Sequence, residues 1–206
     1  MARALGLGPI GPAAVHLCID MQRLFAPGGP WPAQWAPRIL PAVCALTQFR
    51  PERTVFTRFL PPPEPRAMPG IWQAFYEKWR HVTREQIDPA LLDLVPDLAG
   101  FAPPARIMDK SRYSAFTAPD LLPFLTAHKV DTLILSGAET DICVAATLFD
   151  AVDLGFRTIV AREAVCSSSD TGHDAVLTML ERRLTVQVEV AGVEDILAKW
   201  SRRAVA

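Results

Sequence analysis

Asp20, Lys110 and Cys143 each follow the carboxyl end of a different expected strand, and an acid, a cation and a thiol are the parts of a nucleophilic acyl transfer. Cys143 lies in Ser136-Gly137-Ala138-Glu139-Thr140-Asp141-Ile142-Cys143-Val144, in the first turn of a helix that the spacing predicts over 142–154. Unpaired N–H groups and the positive end of the macrodipole shift a thiol at such a place toward thiolate. The same N–H groups can hold an oxyanion once sulfur attacks a carbonyl. Asp141 opposes that shift as a neighbouring negative charge. Each residue also has a plainer reading. Cys143 can be a small buried hydrophobe, Asp20 a turn cap and Lys110 a solvated surface charge.

The elements that must position these groups alternate along the chain. Strands are expected over 14–19, 54–59, 105–110, 131–135, 158–161 and 185–190. Helices are expected over 38–50, with Pro41 in the first turn, and over 119–128, 142–154, 170–183 and 193–200. Thr140 and Asp141 are the N-cap candidates for the helix carrying Cys143, and Gly155 ends it. The alternation predicts a doubly wound α/β domain spanning 1–206, with no linker or repeat that splits it. Ligands bind at the carboxyl ends of parallel strands, where Asp20, Lys110 and Cys143 all fall. Trp72, Phe75, Tyr76 and Trp79 share one helical face, which either packs on the domain or a second subunit, or forms a lid over the pocket. The segment 91–101 reads as a connection broken by Pro96.

Composition narrows the function classes. With 21 basic and 22 acidic residues, no single-sign field invites nucleic acid or an anionic membrane. No apolar run approaches a membrane span, and residues 1–12 are broken by Gly and Pro where an export segment would be apolar. The four cysteines, Cys18, Cys44, Cys143 and Cys166, show neither a C-x-x-C pair nor zinc-ligand spacing, so free thiols in the cytoplasm are expected.

The runs 17–22 (Leu-Cys-Ile-Asp-Met-Gln), 109–116 (Asp-Lys-Ser-Arg-Tyr-Ser-Ala-Phe) and 137–144 (Gly-Ala-Glu-Thr-Asp-Ile-Cys-Val) resemble the isochorismatase-like cysteine hydrolases. That family includes nicotinamidases, N-carbamoylsarcosine amidohydrolase, and ureidoacrylate and biuret hydrolases. The resemblance spans nearly the whole chain. It implies a three-layer α/β/α fold around a six-stranded, mainly parallel sheet in the order 3-2-1-4-5-6. It also implies a catalytic triad of Asp20, Lys110 and Cys143, with an oxyanion hole from the backbone N–H groups of Glu139 and Cys143. A cis peptide between Ala138 and Glu139 and a homodimer or homotetramer belong to the same expectation.

On this reading the substrate is a small amide or ureido compound cleaved through a thioester, with Phe25, Arg58, Trp72, Arg112 and Tyr113 as its contacts. Arg58 has the alternative of an ion pair. No metal or cofactor is expected. The metal motif of nicotinamidases is missing after the second strand, where the chain reads Phe56-Thr57-Arg58-Phe59-Leu60-Pro61, and His16, His81, His128 and His173 are scattered. Cys143 argues against the vinyl-ether chemistry of isochorismatase proper. Hydrolysis of another bond type and an idle binding protein remain as rival readings.

Overall fold

The computed structural model describes residues 6 and 8–201, so half of the amino-terminal run read for an export segment, residues 1–5 and 7, lies outside the described residues. Six strands form one sheet: β1 (Val15–Ile19), β2 (Thr54–Phe59), β3 (Arg106–Lys110), β4 (Thr132–Ala138), β5 (Arg157–Cys166) and β6 (Val188–Ala191). Their order is β3-β2-β1-β4-β5-β6, and every neighbouring pair is parallel. The apolar runs of β1 and β4 are buried throughout because helices cover both faces. β3 is the exposed edge, and only its last residue, Lys110, is buried.

Among the described residues seven α-helices accompany the sheet: α1 (Ala36–Phe49), α2 (Ile71–Lys78), α3 (Pro96–Ala99), α4 (Leu121–Ala127), α5 (Ala145–Asp153), α6 (Asp170–Arg183) and α7 (Val193–Lys199). Alternation along the strands feeds two cores. Cys18, Phe56, Ile134 and Ile159 pack against α1, α3 and α7, while Leu17, Val55, Leu135 and Val160 pack against α4, α5 and α6. A third apolar cluster sits outside both, built from Leu24, Phe25, Phe59, Met68 and Tyr76 with the rings of Trp31, Trp72, Phe75 and Trp79 packed on it.

Several boundaries differ from the sequence expectation. The last strand starts at Val188, because residues 185–187 form the turn that follows α6. Pro37, not Pro41, takes the first turn of α1, and Pro41 lies inside the helix. Pro96 opens the short α3 rather than interrupting a connection, its missing N–H costing nothing at the first helical position. Residues 140–144 are not the start of α5 but a separate π-helical turn. Among the described residues no helix is long and apolar enough to cross a membrane.

Candidate active site

Two tight backbone events bring the strand ends together. Asp20 follows β1 with φ of +53°, a left-handed conformation that aspartate tolerates better than most side chains. The Gln22 N–H closes a tight turn on the Asp20 carbonyl at 2.8 Å. Beside it on β4, Gly137 has φ of +105°, and a Cβ there would run into the Ile19 backbone. The peptide joining Ala138 to Glu139 is cis. The chain then winds through the π turn, in which the Glu139 carbonyl accepts from Ile142 at 3.1 Å and Val144 at 3.0 Å. These two donors bracket Cys143, whose own N–H belongs to neither bond.

Lys110 closes the group from two strands away. Neighbouring strands lie about 4.8 Å apart, so an amine on β3 must cross β2 to meet Asp20, a gap of about 10 Å that the long lysine stem and the aspartate side chain close from opposite sides. Its Nζ passes 4.9 Å from the centre of the Phe59 ring and stops 2.7 Å from Asp20 Oδ2, with both side chains fully buried. The Lys110 ammonium also donates to the Arg112 carbonyl at 2.9 Å. Asp20 Oδ1 accepts the Thr57 hydroxyl at 2.7 Å. Oδ2 faces the Lys110 ammonium, and the Cys143 thiol lies within reach of both groups. A buried ion pair beside a thiol on a cavity wall is a candidate for chemistry.

Cys143 stands in front of this pair, only 5% exposed, on the wall of a cavity of about 400 Å3. Burial pushes its thiol well above the ordinary range; the Asp20 charge pushes the same way, and the Lys110 charge opposes both. The expected shift toward thiolate is therefore corrected. The turn at Cys143 is buried, and the carboxylate that opposes ionisation is Asp20 rather than Asp141. Thr140 and Asp141 do not cap the helix. Thr140 pairs with His173 Nδ1 at 2.8 Å, and Asp141 accepts the Ser167 hydroxyl at 2.5 Å. Both side chains tie the π turn to the start of α6.

The cavity wall opposite Cys143 is aromatic, formed by Phe25, Trp31, Phe59, Phe75, Trp79 and Tyr113. Of the expected substrate contacts, Phe25 and Tyr113 line it. Trp72 lies behind Tyr113, with ring centres 4.8 Å apart, and Arg112 lies over Trp72 at 5.3 Å. Arg58 is not part of the wall. It forms a two-pronged pair with Asp109, directly across on β3, at 2.7 and 2.9 Å, and lies 3.5 Å from Asp93. Alternation along β2 explains this: Phe59 faces the cavity, so Arg58 faces away. The segment of Trp72 to Trp79 packs on the protein's own body, with Tyr76 fully buried, while Phe75 and Trp79 also reach the cavity.

Comparison with known proteins places these observations. The family profile described as isochorismatase domain matches residues 14–193. The chain belongs to the isochorismatase family of hydrolases. Maleamate amidohydrolase of Pseudomonas putida is 33% identical over 168 residues, covering 78% of this chain and 76% of that protein. N-carbamoylsarcosine amidase of an Arthrobacter is 44% identical over 59 residues, covering 29% and 22%. A solved cysteine hydrolase of Pseudomonas syringae pv. phaseolicola shares the fold with a TM-score of 0.81 at 21% identity, covering 97% of this chain and 98% of that one. The nicotinamidase of Bacillus subtilis gives a TM-score of 0.70 at 27% identity, covering 86% and 99%.

Within this isochorismatase-family site, sequence reasoning missed the residues that hold the chemistry in place. Thr57 fixes Asp20. Thr147 accepts the Ala115 N–H at 2.9 Å and donates to the Cys143 carbonyl at 2.7 Å, joining the π turn to the loop after β3. Buried Gln22 accepts the Phe59 N–H at 2.7 Å and donates to the Leu92 carbonyl at 2.7 Å. Spacing offered one signal: Thr147 is one helical turn after Cys143, where a hydroxyl reaches back to a carbonyl. The residues at the nicotinamidase metal position do not fit a metal ion. Arg58 is a cation, and Phe59 and Leu60 carry no ligand atoms. Among the described residues no His, Cys, Asp and Glu cluster is placed to hold one.

Proposed function

We propose that this protein is a cysteine-dependent hydrolase of a small amide, ureido or carbamoyl compound, acting through a thioester on Cys143. Asp20 is the base, Lys110 the charge partner, and the backbone N–H groups of Glu139 and Cys143 the oxyanion hole. The observation that carries this reading is the fully buried pair of Asp20 and Lys110, 2.7 Å apart, behind the one thiol on the cavity wall. A carboxylate so placed can take the proton of the thiol.

The steps balance. The resting thiol is protonated, because burial and Asp20 hold its pKa up. As sulfur bonds to the carbonyl carbon, its proton passes to Asp20 and the carbonyl electrons move onto oxygen. Each backbone donor aimed at that oxygen contributes on the order of 3–4 kcal/mol. The carbonyl re-forms, the C–N bond breaks, and ammonia or an amine leaves with the proton from Asp20. Water then gives a proton to Asp20 and attacks the thioester; sulfur departs and recovers the proton. Lys110 keeps the charge of Asp20 and of the passing thiolate tolerable in a dry site. The kinship with amidohydrolases and with a cysteine hydrolase supports the same bond type.

The test is ammonia release from a panel of small amides, ureides and carbamoyl compounds by wild type and by Cys143→Ala. The expected result is turnover of at least one compound, lost by about 10⁴-fold or more in the variant. Turnover that survives the substitution removes Cys143 from the reaction.

A further inference from the structure

Resting on that reading, we infer that the substrate is an uncharged amide with an apolar, ring-sized substituent, and that the cavity discriminates against a carboxylate on it. The inference comes from what faces Cys143. Trp31 is the hub of the opposite wall, with ring centres 6.1 Å from Phe25, 6.0 Å from Phe59, 6.0 Å from Phe75 and 5.7 Å from Trp79. Rings packed on rings at these distances have little freedom to reorient, so the box is preformed. It offers π faces and edges, which reward apolar surface and leave an anion's lost hydration unreplaced.

The charges around the box point the same way. Glu139 is the one charged side chain on the lining, and its carboxylate is anchored there by the Ser168 N–H at 2.9 Å. The Lys110 ammonium is fully buried against Asp20, so it has no face toward the cavity. Arg58 is held by Asp109, and the Arg112 guanidinium lies over Trp72, one ring behind the wall. A substrate carboxylate would therefore meet rings and a like charge. The reactive amide group is still served, because its carbonyl lies at the π turn, the polar end of the cavity. The P. putida relative carries the name maleamate amidohydrolase, so the anionic half-amide maleamate is the discriminating comparison.

Binding and turnover are measured separately so that the two proposals fail separately. Calorimetric titration of Cys143→Ala with phenylacetamide, hexanamide, maleamate and betaine amide reads the cavity alone. Phenylacetamide and hexanamide are expected to bind about 100-fold more tightly than maleamate. In Cys143→Ala/Glu139→Gln, with an unchanged circular dichroism spectrum, the gap to maleamate is expected to narrow by about tenfold. Maleamate binding as tightly as phenylacetamide, betaine amide binding best, no neutral amide binding, or a gap indifferent to Glu139→Gln each overturns the inference. Ammonia release by wild type from the same compounds tests the chemistry. Neutral amides that bind and are not cleaved leave the cavity's preference standing and defeat the hydrolase reading. Maleamate bound as tightly as the neutral amides and cleaved leaves the hydrolase and defeats the preference.

Discussion

Behind Cys143 the site is polar and sealed: a fully buried carboxylate and ammonium, 2.7 Å apart, stand on the ends of β1 and β3. In front of Cys143 it is apolar and open, walled by rings that come largely from loops and from α2. The back wall is fixed by backbone geometry, since sheet order and strand pairing determine where residues 20, 110 and 143 meet. The front wall is fixed by side chains packing on one another. On the proposed mechanism the difference makes chemistry and selectivity separable: substitutions behind the sulfur are expected to act on the rate of bond cleavage, and substitutions in front on which amide enters.

The sharpest way to break that division is Asp20→Asn. It is expected to lower turnover by about 10³–10⁴-fold, because the thiol then has no base. Turnover within about tenfold of wild type would contradict the role given to Asp20. Gly137→Ala comes next. Its φ of +105° and the Ile19 backbone beside it leave no room for a methyl group. Chemical denaturation is expected to show a loss of about 3 kcal/mol or more, and an unchanged midpoint would deny that β1 and β4 meet so closely.

Thr57→Val removes the hydroxyl that holds Asp20 Oδ1 while keeping the shape of the side chain. About tenfold is expected off kcat, with KM little changed, as befits a positioning residue behind the sulfur. A change in KM alone would move Thr57 to the front wall. Stability against pH has a sign fixed by the buried thiols. Cys18 and Cys166 are both pushed up to about 12 by burial, so the folded state keeps its protons where the unfolded chain loses them. Their contribution is whole below the ordinary thiol value near 9.0 and is lost as pH rises through the folded values. The loss is about 1 kcal/mol per thiol at pH 10, measurable as a falling denaturation midpoint. Arg58→Met has the smallest expected effect, within about threefold on kcat/KM, because its half-exposed pair with Asp109 faces away from the cavity.

The same two walls differ in how legible they were. Asp20, Lys110 and Cys143 could be read because each follows the carboxyl end of an expected strand, and a parallel sheet puts such ends on one edge. The sheet order needed the three motifs, since spacing alone does not say which strands pair. The front wall was hidden. Trp31 sits in a Gly- and Pro-rich loop whose path no periodicity reveals, yet it contacts four rings drawn from β2, from α2 and its C-terminal end, and from the turn at 23–25. Thr57 reads in sequence as an ordinary strand residue, and its role appears only once Asp20 is beside it. Arg58 stood between substrate contact and ion pair in sequence, and strand alternation, which sets it opposite in facing to Phe59 and across from Asp109, decides for the ion pair. The shift of the Cys143 thiol was misjudged because position in the helix says nothing of burial, and burial dominates.

The central claim is covalent, and mass spectrometry of the acid-quenched protein during turnover of a cleaved amide tests it most directly. The account predicts an added acyl mass on the peptide containing Cys143, chasing to free enzyme in water and absent from Cys143→Ala. Steady turnover with the adduct on another residue, or full activity in Cys143→Ala, would contradict it.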